Sequence, residues 1–519
     1  MRTLEHLRQL GLKAWHAVEN PFDAAFGSAL NPLRHLGALA TLAFALLVAS
    51  GAVLYIVLDT SVQGAYGSIR ALADWPLGSG SLLRGAHRYA ADMLALTMAL
   101  HLVREWLHGH DGGVHRFAWF TGVALIGFVF VAAIGGFWLN WDQLGQFSAI
   151  ATAEWIDALP LLGAPLARNF LGSAMVGDRL FSLFMFVHIG VPLLAAFGLW
   201  FHLQRLSRPE MLPPRALALG TLAVLAALAV GRPVQSHAPA LLAAVPEALR
   251  LDWLLLFVHP LVDATSPLGA WAMVAAFAAA LVATTLVSPA RRRAPAAVVD
   301  AEHCNGCQRC LADCPYAAIA MVPHPYQRVG RTLAVVDADL CAACGICAGA
   351  CPSSTPFRSG AALNTGIDMP QRPVGALRAQ LRQALGSARS AAPLVVFGCD
   401  QGARSAALLG DDVHVVPLLC GGQLPPSFVE YALRDGAAGV VVAACREGGC
   451  AFRLGERWMR ERLAGEREPR LRDRVAPERL ELVFAGAGDE RGLAAAVQRL
   501  RERVRLLQPS AARPALGHA

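Results

Sequence analysis

The chain has 519 residues, 55% of them hydrophobic and only 16% charged, with a mean hydropathy of +0.44. These values exclude a single soluble domain and leave room for two to four domains. The formal charge of +7 does not point to nucleic acid, because basic residues sit at the ends of apolar segments and form no aromatic-interleaved basic face. All 12 cysteines lie from Cys304 to Cys450, clustered round C-x-x-C groups rather than scattered as a disulfide framework, which suits metal binding in a reducing compartment.

No secretory leader is expected, since Arg2, Glu5, Arg8, Lys13, Glu19 and Asp23 interrupt the N-terminal stretch. Six apolar segments then approach or exceed bilayer-spanning length, at 34–58, 84–107, 117–139, 180–204, 214–231 and 269–288. The stretch Leu251–Val262 is too short to span and reads as interfacial or re-entrant. With six spans, flanks and loops carry 12 Lys and Arg on one side and 6 on the other. The richer side is expected to be cytoplasmic, which places everything after Arg293 in the cytoplasm of a multi-pass inner-membrane protein.

Two histidine pairs carry the chemistry of these segments. His87 and His101 stand 14 residues apart in the second, and His188 and His202 stand 14 apart in the fourth. That spacing is close to four helical turns, so each pair shares a helix face across about 21 Å of rise. Neutral imidazoles on facing helices suit the axial positions of two haems. Gly37 and Gly51 on the first span, and Gly122 and Gly136 on the third, repeat the same period. Glycine there would clear space for the flat faces of two stacked haems. Arg84 and Arg104 flank His87 and His101 by three residues and are placed to meet haem propionates. Singly, any of these histidines or glycines reads as a helix-packing residue. His35, His108, His110, His115 and His259 read as loop or interfacial.

The pattern resembles cytochrome b of quinol-oxidising respiratory and photosynthetic complexes, from Asn31-Pro32-Leu33 to Arg208-Pro209. Trp141-Asp142-Gln143 and Ala158-Leu159-Pro160-Leu161-Leu162-Gly163 add to the match. The resemblance implies two b-type haems, one held by His87 and His188 nearer the outside, the other by His101 and His202 nearer the cytoplasm. It also implies quinone or quinol as a partner within the lipid bilayer. Where the family carries Pro-Glu-Trp-Tyr, this chain has Leu251-Asp252-Trp253-Leu254, and Asn140 stands where the family has proline before the tryptophan. Asp252 and Trp253 are the quinone-site candidates; an ordinary interfacial Asp-Trp pair is the alternative.

An Arg/Ala/Pro linker at 291–298 leads into a repeat offset by 37 residues. Cys304, Cys307, Cys310 and Cys314-Pro315 recur as Cys341, Cys344, Cys347 and Cys351-Pro352. This is the bacterial two-cluster ferredoxin pattern, in which the fourth cysteine of each run ligates the other cluster. One [4Fe–4S] cluster is therefore assigned to Cys304, Cys307, Cys310 and Cys351, the other to Cys341, Cys344, Cys347 and Cys314. Isolated C-x-x-C pairs would allow zinc, but the repeated fourth Cys-Pro argues against it. Residues 356–392 read as a connecting loop and an exposed helix.

Beyond residue 393, apolar runs at Leu394–Phe397, Val413–Leu418, Gly439–Ala443 and Leu480–Phe484 alternate with amphipathic stretches, an α/β pattern with a parallel sheet. Cys399, Cys420 and Cys445 each follow such a run, and Cys450 lies in the next glycine-rich loop. Carboxyl ends of parallel strands converge on one edge, so the four thiolates suit a [2Fe–2S] cluster, with zinc or structural thiols as alternatives. Phe397-Gly398-Cys399, Cys420-Gly421-Gly422 and the Cys445/Cys450 pair resemble the delta subunit of hydrogenase–heterodisulfide reductase assemblies. That resemblance implies electron exchange with a flavin- or Fe–S-containing oxidoreductase subunit.

The expected architecture is a helical membrane bundle followed by an α+β ferredoxin-like domain and a C-terminal α/β domain. The domains run 1–210 (di-haem, four helices), 211–290 (two further helices), 299–358 (ferredoxin) and 393–507 (delta-like). The expected function is electron transfer between a cytoplasmic redox partner and the quinone pool, as one subunit of a quinone oxidoreductase. A redox sensor or assembly scaffold is the alternative, and a second copy of the chain is a candidate partner.

Overall fold

A computed structural model describes residues 2–160, 164–170, 176–243, 248–287, 294–326, 330–354 and 363–507. The end of the 158–163 motif and residues 291–293 of the linker lie outside the described residues. The chain divides into two compact units, one of membrane-type helices up to Ala290 and one holding the remainder from Arg291, with Glu5–Lys13 and Arg205–Arg208 counted to the second.

The first unit contains α1 (Arg2–Phe26), α2 (Leu36–Val57), α3 (Ala65–Ala71), α4 (Ser79–Leu107), α5 (Arg116–Leu139), α6 (Gln143–Asp157), α7 (Asp178–Leu203), α8 (Arg215–Gly231), α9 (Val258–Ala264) and α10 (Pro267–Val287). Each of the six expected spans is a helix. Among the described residues, α2, α5 (with the turn before it), α7 and α10 are long and apolar enough to cross a bilayer. Helix α4 has the length, at 29 residues, but carries Arg84, Arg88, Asp92, Arg104 and Glu105; α8 is 17 residues long. The spanning helices carry apolar residues all round, as lipid-facing helices do. Helix α2 packs along α4, α5 along α7, and α8 along α4.

Helix α6 was not expected. Asp142 caps it, its Oδ1 accepting from Gly145 N at 2.9 Å, while its Oδ2 accepts from His237 N at 2.9 Å. An N-cap aspartate satisfies an otherwise orphaned helix donor. The Leu251–Val262 stretch ends in α9, and there His259 is a correction to the expectation: it is buried, 1% exposed, with Ser148 Oγ 2.9 Å from its Nε2.

The second unit begins with β1 (Val298–Val299), α11 (Arg309–Asp313), β2 (Ile319–Pro323), β3 (Thr332–Val336), α12 (Ile346–Ala350) and β4 (Ile367–Asp368). Strands β2 and β3 pair antiparallel, as do β1 and β4. The sequence repeat is also a backbone repeat. Each five-residue helix starts after a left-handed residue, Gln308 (φ 63°) or Gly345 (φ 80°). Two residues earlier, Gly306 (φ 68°) corresponds to Ala343 (φ 55°). Each repeat thus bears one strained non-glycine where its counterpart has glycine.

Then come α13 (Val374–Gly386), β5 (Leu394–Cys399), β6 (Val413–Leu418), α14 (Ser427–Arg434), β7 (Gly439–Ala444), α15 (Gly455–Leu463), β8 (Leu480–Phe484) and α16 (Glu490–Leu507). The four strands form a parallel sheet in the order β6-β5-β7-β8. All residues of β5 and β7 are buried, as central strands covered on both faces must be. One face carries α14 and α13, the other α16. Helix α13 corrects the expectation of an exposed helix: Val374, Leu377 and Leu381 form a buried stripe on the sheet.

Candidate functional site

In the helical unit each of the four glycines faces one of the four histidines. A Cβ placed on Gly51 would stand 3.1 Å from His87 Cε1, and one on Gly136 2.8 Å from His188 Cε1. On Gly37 it would stand 3.4 Å from His101 Cε1, and on Gly122 3.3 Å from His202 Cε1. The glycines therefore clear the imidazole rings of the neighbouring helix, where the sequence reading had them clear the haem faces. The His87 and His188 ring centroids lie 6.3 Å apart. At that separation the two rings could together hold one haem iron.

The far ring nitrogens settle the tautomers. His188 Nδ1 lies 2.8 Å from Ala132 O, an oxygen that only accepts, so Nδ1 carries the proton. His87 Nδ1 lies 2.9 Å from Ser50 Oγ, whose own proton goes to Leu46 O at 2.6 Å. His202 Nδ1 lies 3.0 Å from Thr121 Oγ1, which donates to Phe117 O at 3.0 Å. In all three, Nε2 keeps the lone pair that an axial ligand needs. His101 Nδ1 has Glu105 Oε1 at 3.8 Å. Sequence reading missed Ser50 and Thr121, although both immediately precede a face glycine, in Ser50-Gly51 and Thr121-Gly122.

Arg84 donates to Ser236 Oγ at 2.9 Å and Asn140 Oδ1 at 3.3 Å, and Arg104 meets Glu105 at 3.2 Å and Glu19 at 3.9 Å. Both expected propionate partners thus have protein partners. Asp252 pairs with Arg88, which also holds Asp92, and Asp252 Oδ1 accepts from Leu254 N and Leu255 N at 3.0 and 2.6 Å. Trp253 is 81% exposed, so the two residues of that motif face different surroundings.

In the second unit the cysteines line two cavities. Cys304, Cys307, Cys310 and Cys351 surround one; Cys314, Cys341, Cys344 and Cys347 surround the other. Each cavity mixes three cysteines of one run with the fourth of the other. Among the described residues, no three His, Cys, Asp or Glu groups converge as they would on a single metal ion. Thiols spread round a cavity suit a cluster with edges of its own. Burial pushes the Cys310 and Cys344 thiols up to about 12. Left alone they would stay protonated at neutral pH, so bound cationic iron is what these sites need to hold thiolates.

The C-terminal cysteines gather at the carboxyl edge of the parallel sheet. Cys399 ends β5 and Cys445 follows β7, where a strand order of this kind reverses direction and opens its ligand crevice. Their sulfurs are 3.7 Å apart. Cys420 and Cys450 complete a ring of thiol hydrogen bonds; donation by Cys420 and Cys445 holds Cys399 well below its ordinary value. All four are buried. They share one core with the buried ferredoxin-type cysteines, together with Ile346, Tyr316 and Trp458.

Comparison with known proteins gives three family matches in sequence order. Residues 22–209 match the model for cytochrome b/b6/petB, 303–355 that for the 4Fe–4S dicluster domain, and 395–508 that for the methyl-viologen-reducing hydrogenase delta subunit. A solved structure described as "Hyperthermophilic respiratory Complex III" aligns at 21% identity and a TM-score of 0.42, covering 50% of this chain and 77% of that one. The chain thus joins a cytochrome b/b6-type segment, a 4Fe–4S dicluster segment and a hydrogenase delta-type segment in one polypeptide, and it is a membrane electron-transfer protein.

Proposed function

We propose that the chain passes electrons between a soluble redox partner and the quinone pool, using two b-type haems, two [4Fe–4S] clusters and one [2Fe–2S] cluster. When bound, these groups supply one-electron carriers. The chain's own residues fix where each sits. His87 with His188, and His101 with His202, offer Nε2 lone pairs to the haems, while Gly37, Gly51, Gly122 and Gly136 let those rings approach. Cys304, Cys307, Cys310 and Cys351 hold one cubane site, Cys314, Cys341, Cys344 and Cys347 the other. Cys399, Cys420, Cys445 and Cys450 hold the [2Fe–2S] site. The observation that carries this reading is the one-to-one facing of four glycines and four histidines on two helix pairs.

Asp252, ion-paired with Arg88, is the candidate group for proton exchange with a quinol, and Trp253 is the exposed ring beside it in sequence. Among the described residues no Gly-x-Gly-x-x-Gly turn follows a strand of the sheet, so hydride or thiol chemistry is assigned to a separate flavin- or Fe–S-containing subunit. The Lys/Arg asymmetry supports an inner-membrane location with the cysteine unit in the cytoplasm. Anaerobic redox titration of the purified protein, with haem and iron–sulfur spectra recorded together, tests the reading. Addition of a reduced quinol analogue, with and without a membrane potential, is expected to reduce haems and clusters in one connected series. Clusters that exchange no electrons with the haems would sink it.

A further inference from the structure

Three segments that carry cysteines of two different sites meet on one side chain. Arg462, in the last turn of α15, is 1% exposed. Its Nη1 donates to Gly422 O at 2.8 Å, two residues after Cys420. Its Nη2 donates to Asp313 Oδ2 at 2.5 Å, beside Cys314, and to Ile346 O at 3.5 Å, beside Cys347. Asp313 is held from its other oxygen by Arg467 Nη1 at 2.8 Å, and its carbonyl accepts from Trp458 Nε1 at 3.1 Å. The Arg467 guanidinium carbon lies 3.4 Å from the Trp458 ring centroid.

A buried ion pair is seldom worth more than a well-packed apolar replacement, so stability alone does not explain Arg462. What a hydrophobe lacks is a rigid planar fork able to fix several oxygens at once. The packing around it has no slack. A Cβ on Gly422 would stand 2.9 Å from Ile346 Cγ1, one on Gly455 2.1 Å from Cys420 Sγ, and one on Gly349 2.2 Å from Gly422 O. Cys344 and Cys450 lie within electrostatic reach of each other, and buried Tyr316 lies within reach of Cys344, Cys420 and Cys450. Cys310 is acted on by Cys304, Cys307 and Cys351 of its own site, and reaches beyond it to Cys347 of the neighbouring cubane site.

We propose that Arg462 is a positioning residue fixing the junction between the Cys314/Cys341/Cys344/Cys347 site and the four-cysteine site at the sheet edge. Electrons exchanged between the C-terminal site and the rest of the chain pass through that cubane site, and the Cys304/Cys307/Cys310/Cys351 site is one step further away. The proposal rests on the reading that all three cysteine sets hold iron–sulfur clusters. A single electron crosses at a time, one site being oxidised as the other is reduced, and no proton moves. The buried guanidinium also favours the extra negative charge of a reduced site nearby.

The test compares full-length wild type, Arg462→Gln and Arg462→Lys in lipid nanodiscs, reduced with dithionite and followed by low-temperature EPR. Iron and acid-labile sulfide are measured first on the wild type; missing clusters there overturn the underlying reading of the sites, which is separate from failure of the junction. In Arg462→Gln the magnetic interaction between the C-terminal site and its cubane neighbour is expected to weaken or vanish. Its reduction equilibrium should shift about tenfold toward the oxidised form, roughly 59 mV for one electron, while the other cubane keeps its potential. Arg462→Lys, with the charge but not the fork, should restore the potential and leave the interaction weak. Loss of the two junction centres with the third retained also supports the proposal. Unchanged interaction and potential in both variants, or equal loss of all three centres, overturns it.

Discussion

The two units solve the placement of their proposed metal ligands in opposite ways. In the helical unit the donors are few and sit on long rigid elements, so helix period alone sets the spacing of His87 and His101 and of His188 and His202. Each ring already has a glycine opposite it and, for three of the four, a hydrogen-bond acceptor at Nδ1. In the cysteine unit the donors come from loops, five-residue helices and strand ends, and burial opposes the charged form that the metal needs. The first unit is ready for its prosthetic group through helix packing. The second, on the proposed reading, needs bound clusters to hold its buried thiols as thiolates.

Removal of iron and sulfide is the strongest way to break that contrast. Chelation under oxidant should strip amide-exchange protection from residues 294–507 by several kcal/mol, because cluster binding there is coupled to folding, while α2, α4, α5 and α7 stay protected. Equal loss in both units, or helices melting first, would remove the distinction. Next in size, Gly136→Ala should cost about 1–3 kcal/mol of haem retention through overpacking against His188, followed by Gly51→Ala, Gly122→Ala and Gly37→Ala in the order of their clearances. Haem per chain, read from the α-band, checks the series, and a reversed order defeats it. Smallest, Ser50→Ala and Thr121→Ala should weaken haem binding about tenfold by freeing the far ring nitrogen. Haem affinity and midpoint potential identical to wild type would mean that these hydroxyls do not orient the rings.

The parallel sheet was legible because each strand is a short buried apolar run closed by a turn, and observed ends extend the expected ones by at most two residues, at Cys399 and Ala444. The grouping of eight cysteines round two cavities was legible because a repeat offset by 37 residues sets three of one run beside the fourth of the other. Helix α6 was not, since Ser148, Thr152 and Trp155 mix polar and aromatic groups on a face that only its partners define; His259 was misread for the same reason. Arg462 had no local signature at all. Its partner Asp313 is 149 residues away, and only the fold brings three ligand-bearing segments to it.

That distance has a consequence for biogenesis. At synthesis rates of 5–20 residues per second, roughly 7 to 30 s separate the emergence of Asp313 from that of Arg462. The histidines of the helical unit leave the ribosome well before either. On the proposed reading, a nascent chain can meet haem early, whereas the cysteine at 314 must wait, reduced and unclamped, until helix α15, which secures its neighbour, has been made. Cofactor loading of this single polypeptide is then ordered in time by the order of its residues, with thiol protection and iron delivery required last.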